Sequence, residues 1–358
     1  MKQKITVGIL FGGKSAEHEV SLRSAKSVGD ALDKKKFDVV FIGIDKSGRW
    51  LPPTQSRKLL ASAPALHIQK REGSVALSPS SEGMLEKDGK PSRKINVVFP
   101  VLHGPFGEDG TVQGLLRLVD VPFVGPDVLG SAIGMDKEVA KRLLREAGIP
   151  VGKFLVLRAS EKLSFETAAR LLGTPLFVKP ANLGSSVGVA KVRTKAEFKK
   201  ALKDAFRFDS KILVEEFIKG KEIEVAVLGN RDPKASLPGE VIPSHEFYSY
   251  EAKYLDEHGA RLEIPAKLPK KIQRRLRELA VKTFKTLCCE GMARVDFFVT
   301  SRGRVYVNEI NTIPGFTSIS MYPKLWEASE IPYSKLIEAL IRLAIERFEK
   351  QAKLRTSR

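Results

Sequence analysis

Cysteine is almost missing from these 358 residues: there are two, Cys288 and Cys289, side by side. Adjacent cysteines reach disulfide geometry only with strain. The pair is expected as two reduced, buried thiols, and a disulfide scaffold is excluded. No apolar run approaches the roughly 18 residues that a membrane span needs. The stretch from Ile5 to Phe11 follows Lys2 and Lys4 much as in a signal peptide. It then meets Gly12, Gly13, Lys14, Glu17 and Glu19 without a small-residue cleavage site, so a buried first strand is expected instead. These shortages together point to a cytoplasmic protein without a membrane partner.

Acidic residues are also in short supply, 42 against 61 basic ones, for a formal charge of +19. Such an excess raises the question of nucleic acid. The basic residues are spread out, however. Between 270 and 287 the apolar stripe is Ile272, Leu276, Leu279, Ala280, Phe284 and Leu287, at helical spacing. Lys271, Arg274, Arg275, Lys282 and Lys285 fall on the other faces, and the tail from Arg342 to Arg358 is similar. A solvated helix surface with a mild pull on anionic ligands is expected, and no nucleic-acid partner.

What is present is a core-forming composition, 42% apolar, over a length that suits two or three lobes at roughly 150 residues each. Buried strands are expected at 5–11, 38–44 and 95–102. A helix starting near Ser21 follows the first strand, with Ala25, Val28, Ala31 and Leu32 inward. Alternation of helices with continuously apolar strands implies a parallel sheet covered on both faces. Residues 46–94 read as an elaborated connection with a short strand at Val75–Leu77. A new unit begins after Pro126. Its helix at 136–147 should turn Val139, Leu143 and Leu144 inward. Strands follow at 153–158, 175–179, 211–217, 222–228, 294–299 and 304–310, with helices at 164–172, 197–206, 270–287 and from Tyr333. There is no internal repeat.

One motif misleads. Gly8-Ile-Leu-Phe-Gly-Gly13-Lys14-Ser15 satisfies the P-loop pattern letter for letter. Ile9, Leu10 and Phe11 continue the apolar strand, however, so no phosphate-wrapping loop remains. Gly12 and Gly13 read better as a tight turn at the strand's C-terminal end, where open α/β sheets bind ligands.

Other residues carry chemistry. Gly184-Ser-Ser-Val-Gly188 lies between two strands, where glycines let a backbone approach phosphates and hydroxyls add donors. Lys179 ends the apolar run Leu176-Phe177-Val178 and needs an anionic partner, a phosphate or a structural carboxylate. Lys137 opens a helix, an end that cations usually avoid, so an anion shared with that terminus is plausible. A two-residue loop at Arg302-Gly303 would set Asp296 opposite Glu309 and Arg294 opposite Asn311, all four on one face. Opposed carboxylates repel, and a divalent cation relieves this. Two acids and an amide oxygen are hard donors suited to Mg²⁺ shared with phosphates. The competing reading is a solvent-facing strand pair of mixed charge, and a one-residue slip would part the acids. Glu215, Glu216 and Glu222 flank Lys219-Gly220-Lys221, a connection whose backbone suits an adenine edge as well as an ordinary turn. Glu17-His18-Glu19 and His103-Gly-Pro-Phe-Gly-Glu-Asp-Gly110 sit just past strands, where carboxylates suit a substrate ammonium.

In sum, the chain resembles the D-alanine–D-alanine ligases of the ATP-grasp superfamily over nearly its whole length. The resemblance rests on Phe11-Gly-Gly-Lys-Ser-Ala-Glu17-His-Glu-Val-Ser21, on Leu102-His103-Gly with Gly107-Glu-Asp-Gly110, on Met135-Asp-Lys137 and on Val178-Lys179-Pro. It continues through Gly184–Gly188, Phe247-Tyr-Ser-Tyr-Glu-Ala-Lys253-Tyr254, Arg294-Val-Asp296 and Asn308-Glu309-Ile-Asn311-Thr-Ile-Pro-Gly315-Phe-Thr-Ser318-Ile-Ser320. It implies an α/β fold of three lobes: an N-terminal parallel-sheet substrate lobe (1–130) and two lobes that clamp ATP (131–230 and 231–358). It implies ATP-dependent joining of two D-alanines through an acylphosphate for peptidoglycan precursors. It implies Lys137, Lys179, Ser186, Glu215, the Ile218 backbone, Glu222 and Lys253 as ATP contacts. Asp296, Glu309 and Asn311 become ligands of two Mg²⁺ ions, or Mn²⁺. Glu17 is expected to hold the first ammonium and to hydrogen-bond with Ser185 and Tyr254 across the closed site. Arg294 and the Gly315 N–H serve the oxyanion, and His103, Ser320 and the Met321 backbone serve substrate. Met321 stands where relatives often carry Leu, a volume-conserving swap. The family is commonly dimeric. A D-alanine–D-lactate ligase and an idle ATP-binding protein are the alternatives. Tyr254 favours the amine nucleophile, and the intact metal and lysine sets favour catalysis.

Overall fold

The strand Ile5–Gly12 lies between Phe37–Ile44 and Val97–Pro100 in a parallel three-stranded sheet. The computed structural model describes residues 3–61, 75–77, 83–88, 90–243 and 260–355. Gly8 is paired within the strand on both sides, with Val40 and Val98, so the P-loop pattern is a coincidence of letters. Val7, Ile9 and Phe11 enter one core and Leu10 another, which is why this segment cannot alternate polar with apolar. The first helix, His18–Ala31, starts three residues before Ser21. Ser21, near which the start was expected, therefore lies inside the first turn. Its hydroxyl is buried, accepting from the Gly12 N–H (2.7 Å) and donating to the Val101 carbonyl (2.5 Å). Val75–Leu77 is a strand as expected and pairs with Met84–Lys87 in a small antiparallel sheet.

A second sheet is antiparallel, in the order Phe154–Arg158, Lys211–Glu216, Leu176–Pro180, Ala190–Val192. The third runs Ala260–Glu263, Gly239–Pro243, Lys221–Gly229, Gly291–Val299, Val305–Asn311. The chain therefore passes from the second sheet to the third through the four residues 217–220. The helix Lys137–Glu146 packs its Ala140 and Leu144 against the third sheet's core, beside Val225, Val295 and Val307. Its orientation differs from the sequence expectation. Leu143 is exposed, whereas Glu138 and Lys141 are buried. Burial there follows charge pairing with the second sheet rather than the apolar stripe. Cys289 is buried as expected, but Cys288 is exposed, at a positive φ of 54° just past the helix Lys270–Thr286.

The first and third sheets share one apolar core. Val7, Phe11, Val97 and Phe99 meet Ile313, Phe316, Tyr322 and the closing helix Tyr333–Ala352 through Leu336, Leu340 and Ile341. The Phe99 and Phe316 rings stand edge to face, 5.5 Å apart. The second sheet has a separate core of its own, including Leu176, Val178, Phe198, Ile212 and Val214.

The hairpin of the third sheet reaches the expected pairing by an unexpected route. Val299 pairs with Val305 and Phe297 with Val307, around a three-residue loop, Ser301–Gly303, with Gly303 at φ 73°. A bulge between Asp296 and Phe297 then shifts the register by one, and Asp296 faces Glu309 while Arg294 faces Asn311. The loop is one residue longer than assumed and the bulge cancels the difference. Val295, Phe297, Val305, Val307 and Ile310 fill the core on the opposite face.

Candidate active site

The second and third sheets face each other across a set of buried charges. Lys179 ends its strand in the second sheet, and its Nζ lies 2.6 Å from Glu215 Oε2 on the neighbouring strand. The other oxygen of Glu215 is 3.0 Å from Lys141 Nζ on the helix Lys137–Glu146. Burial opposes the charge on Glu215, but Lys141 and Lys179 outweigh it and hold the carboxyl below its usual range. The two lysines differ. Burial also opposes charge on Lys179, yet Glu215 and Glu309 together raise it above an ordinary lysine. Lys141 falls below one, because burial and the charge of Lys179 exceed what Glu215 returns.

Lys137, one turn earlier on that helix, donates to the Leu183 carbonyl (2.6 Å) and lies 3.4 Å from Glu309 Oε2. Asp136 caps the helix by accepting from the Glu138 and Val139 N–H groups. Lys211 of the second sheet pairs with both Asp136 (2.5 Å) and Glu138 (2.8 Å). The motif Met135-Asp-Lys137 thus ties this helix to the second sheet as well as supplying a cation.

On the third sheet an acidic row crosses three strands, with Glu224 beside Asp296 and Asp296 beside Glu309. Arg294 forks onto Asp296 with two 2.7 Å bonds and reaches Glu224 at 2.8 Å. Burial works against the guanidinium, but Asp296 and Glu224 raise its pKa well above the ordinary value. Asn311 donates to Asp296 at 2.9 Å. Among the described residues no group of three His, Cys, Asp or Glu could hold a metal by itself. The donors of Asp296, Glu309 and Asn311 fit Mg²⁺ only with phosphate or water oxygens completing the shell, the usual manner of that ion.

At the first sheet's C-terminal end, Glu17 is buried and accepts a hydrogen bond from the Ser185 hydroxyl, 168 residues away on the Gly184–Gly188 loop. Ser185 and Ser186 both adopt positive φ, 52° and 60°. Gly104 must be glycine, since at φ 76° a Cβ would come within 3.1 Å of Glu17 Oε2. His103 is buried, with Nδ1 3.0 Å from the Ile313 carbonyl. Burial keeps its pKa low despite Glu17. A neutral ring bonded to a carbonyl carries its proton on Nδ1, leaving Nε2 as an acceptor. Gly315 lies against Ser320, whose hydroxyl accepts from the Thr317 N–H (3.1 Å). Met321 is buried and opens the short helix Met321–Glu327.

The expected residues therefore fall into linked groups. Glu17, Ser185 and His103 form one, Lys179 and Glu215 a second, and Arg294, Asp296, Glu309, Asn311 and Lys137 a third. Gly315, Ser320 and Met321 follow on the loop from Ile313. Ile218 is half-buried on the connection between sheets, next to Glu222, which faces Phe298. Ser186 is half-buried on the loop of Ser185. Lys253 and Tyr254 lie outside the described residues. Glu108, quoted in the motif past its strand, stands among these groups, and so do two side chains missing from the sequence reading, Lys141 and Glu224. Lys141 repeats Lys137 at helical spacing, and Glu224 repeats Glu222 at strand spacing. Either period would have found them.

Comparison with known proteins agrees with this geometry. The family model described as D-ala D-ala ligase N-terminus matches residues 6–126, and that described as D-ala D-ala ligase C-terminus matches 143–342. A D-alanine–D-alanine ligase of Shouchella clausii is 54% identical, over 99% of this chain and 98% of its own length. The solved D-alanine–D-alanine ligase of Coxiella burnetii superposes with a TM-score of 0.88 at 41% identity, covering 98% of this chain and 96% of that one. A D-alanine–D-alanine ligase of Bacillus anthracis complexed with ATP superposes with a TM-score of 0.74 at 29% identity, covering 97% of this chain and 99% of that one.

Proposed function

The chain belongs to the D-alanine–D-alanine ligase family, of ATP-grasp architecture, and from that premise we propose that it joins two D-alanines at the cost of ATP. The observation that carries the reading is Glu309, which faces Asp296 across the hairpin and Lys137 across the cleft. One carboxylate thus joins a metal-type row to a phosphate-type lysine. The lobes 131–230 and 231–358 clamp the nucleotide, and the lobe 1–130 presents the first amino acid.

Glu17 accepts from the first ammonium and, with Ser185, orients its carboxylate. His103 Nε2 is an acceptor beside the same group. That carboxylate attacks the γ-phosphorus, ADP leaves, and an acylphosphate forms. Lys137 and Lys179 offset charge on the transferring group, Ser186 lies over it, and Lys253 adds a further contact. Glu215, the Ile218 backbone and Glu222 hold the adenine and ribose. Asp296, Glu309 and Asn311 would hold two Mg²⁺ or Mn²⁺ ions, which when bound neutralise phosphate charge. The second D-alanine, its carboxylate at Ser320 and the Met321 N–H, attacks the acyl carbon with its amine. Arg294 and the Gly315 N–H stabilise the oxyanion, phosphate leaves, and the amine loses a proton. Tyr254 closes the site with Glu17 and Ser185, which keeps water from the acylphosphate. The protein acts in the cytoplasm, as the pathway's nucleotide and free amino acids require. It pairs with a second copy through the exposed Leu118 and Leu129 of the packed helices Thr111–Leu118 and Val128–Met135.

The test is phosphate release from ATP and Mg²⁺, with and without D-alanine, the product being weighed by mass spectrometry. Release that requires D-alanine and yields the dipeptide supports the reading. A product formed only with D-lactate present supports the depsipeptide alternative, and silence from folded protein supports an idle nucleotide binder. Sedimentation of the wild-type chain and of Leu118→Glu tests the dimer.

A further inference from the structure

Glu108 lies in the motif Gly107-Glu-Asp-Gly110, and the mechanism above gives it nothing to do. One of its oxygens accepts from the Gly104 N–H (2.7 Å) and the other from the Ile313 N–H (3.2 Å). Gly104 follows His103 and touches the surroundings of Glu17. Ile313 stands between Asn311 and Gly315, 205 residues further along the chain. The carbonyl of Ile313 is the partner of His103 Nδ1, 3.0 Å away. One residue, Ile313, is therefore held on both sides, its N–H by Glu108 and its C=O by His103.

From this geometry we infer that Glu108 is a positioning residue of the ligation reaction, which clamps Ile313 so that His103 Nε2 and the Gly315 N–H are set together. The inference rests on the ligase reading. Its physical logic is economy of reference. His103 belongs to the first-substrate lobe and Gly315 to the oxyanion loop, and each must be placed to within a fraction of an ångström of substrate. A link through one residue fixes the two relative to each other. A carboxyl group suits the task because it presents two oxygens on one short side chain, one within reach of each amide N–H. The arrangement is costly. Burial, and then the neighbouring Glu17, push the Glu108 carboxyl up to about 8, against the pull of its two amide donors and of Lys137. An apolar residue would hold the loop by packing without that cost. It would leave two buried N–H groups unpaired and the imidazole free to turn.

The test uses the full chain with Glu108→Gln, which keeps the shape but sets an amide donor against one of the two N–H groups. In steady-state assays with ATP, Mg²⁺ and D-alanine, kcat should fall about ten- to hundred-fold, while KM for ATP stays within about two-fold. The double variant with His103→Gln should lose little more than the worse single one, because both act through Ile313. Nitrogen NMR of the histidines, which needs no turnover, should show His103 protonated at Nδ1 in the wild type and mixed tautomers in the variant. Should the Gln variant not fold, Glu108→Asp replaces it: the shorter acid keeps the carboxyl group but cannot span both amides. Wild-type kcat in a folded variant, independent losses that multiply in the double variant, or an unchanged His103 spectrum would overturn the inference. A wild-type chain that makes no dipeptide would instead overturn the ligase reading, and the NMR arm would still decide whether Glu108 governs His103.

Discussion

Two joints hold this molecule together, and they are made of different material. Between the first and third sheets the joint is apolar, with Phe99, Val97 and Phe11 against Phe316, Tyr322 and Leu340. Around the second sheet it is polar. Lys141 and Lys179 meet at Glu215, Lys211 meets Asp136 and Glu138, Lys137 reaches the Leu183 carbonyl, and Ser185 reaches Glu17. An apolar joint is non-directional and interdigitated, so it moves only at the cost of its packing. A polar joint can trade partners for water, phosphate or metal at little net cost. On the function proposed above, the lobe that would open to admit a nucleotide is the one held by exchangeable contacts, and the first and third sheets, which would build the substrate cradle, share one core.

The largest break is expected at the apolar joint. Phe99→Ala should cost about 3–5 kcal/mol, a value typical of a buried phenylalanine. Because the core is shared, calorimetry should show the first and third sheets melting together at a lower temperature. Two separate transitions would mean that the joint is not one unit.

Next comes Glu215→Gln at the polar joint. It leaves Lys141 and Lys179 buried beside each other with their ion-pair partner gone and only Glu309 still acting on them, a change of the kind that costs about 3–5 kcal/mol. The cost should be local, because the second sheet has its own core. Hydrogen exchange should quicken in 154–216 and helix 137–146 before the Phe99 region is touched. The sign with pH is fixed. The native Glu215 pKa is depressed from its ordinary 4.5, so its contribution is present above that value and is lost as the pH falls through the lower native one. The variant should lack that acid-side loss. Saturating ATP should restore part of the stability, since phosphates can stand where the carboxylate stood.

Glu108 sharpens the comparison from the seam between the fused lobes. Its pKa is raised from 4.5 to about 8, so the native state keeps a proton that the unfolded chain gives up between those values. The stabilisation from that proton is complete below 4.5 and disappears as the pH climbs to about 8. The melting temperature of Glu108→Gln, relative to wild type, should therefore rise between pH 5 and pH 8 and then level, by some degrees. A difference that does not change with pH would place Glu108 in contact with water.

How much of this was legible depended on whether a residue's partner was local. The buried strands, the Val75–Leu77 strand and the helices were readable because period and apolarity are properties of a short window. The fused core was not, because nothing in the sequence says that Phe99 meets Phe316. The helix Lys137–Glu146 shows the failure directly: its apolar stripe put Leu143 inside, but Glu215 and Lys211, distant in sequence, draw Glu138 and Lys141 in instead. The hairpin shows a subtler case. Val305 and Val307 alternate, then Asn308 and Glu309 are polar in succession before Ile310, and that break in period is the bulge written in sequence. Read with the loop one residue short, the two departures cancelled at the very pair that matters.

The smallest effect is expected at Lys14, and it tests the comparison from outside the joints. Lys14 completes the P-loop lettering, but its strand runs straight through Gly8, and the side chain is exposed near the Phe106 ring, 5.9 Å from its centre. Lys179 lies buried at the polar joint, already paired with an anion that phosphate can supplement or displace. Lys14→Ala should leave the affinity for ATP within about two-fold, whereas Lys179→Ala should weaken it at least about ten-fold, as losing a charge-assisted bond does. Titration of each variant with nucleotide and Mg²⁺ measures both. Loss at Lys14 with retention at Lys179 would move the nucleotide to the first sheet and leave the polar joint as mere structure. The expected order keeps it where the charges of the second and third sheets face each other.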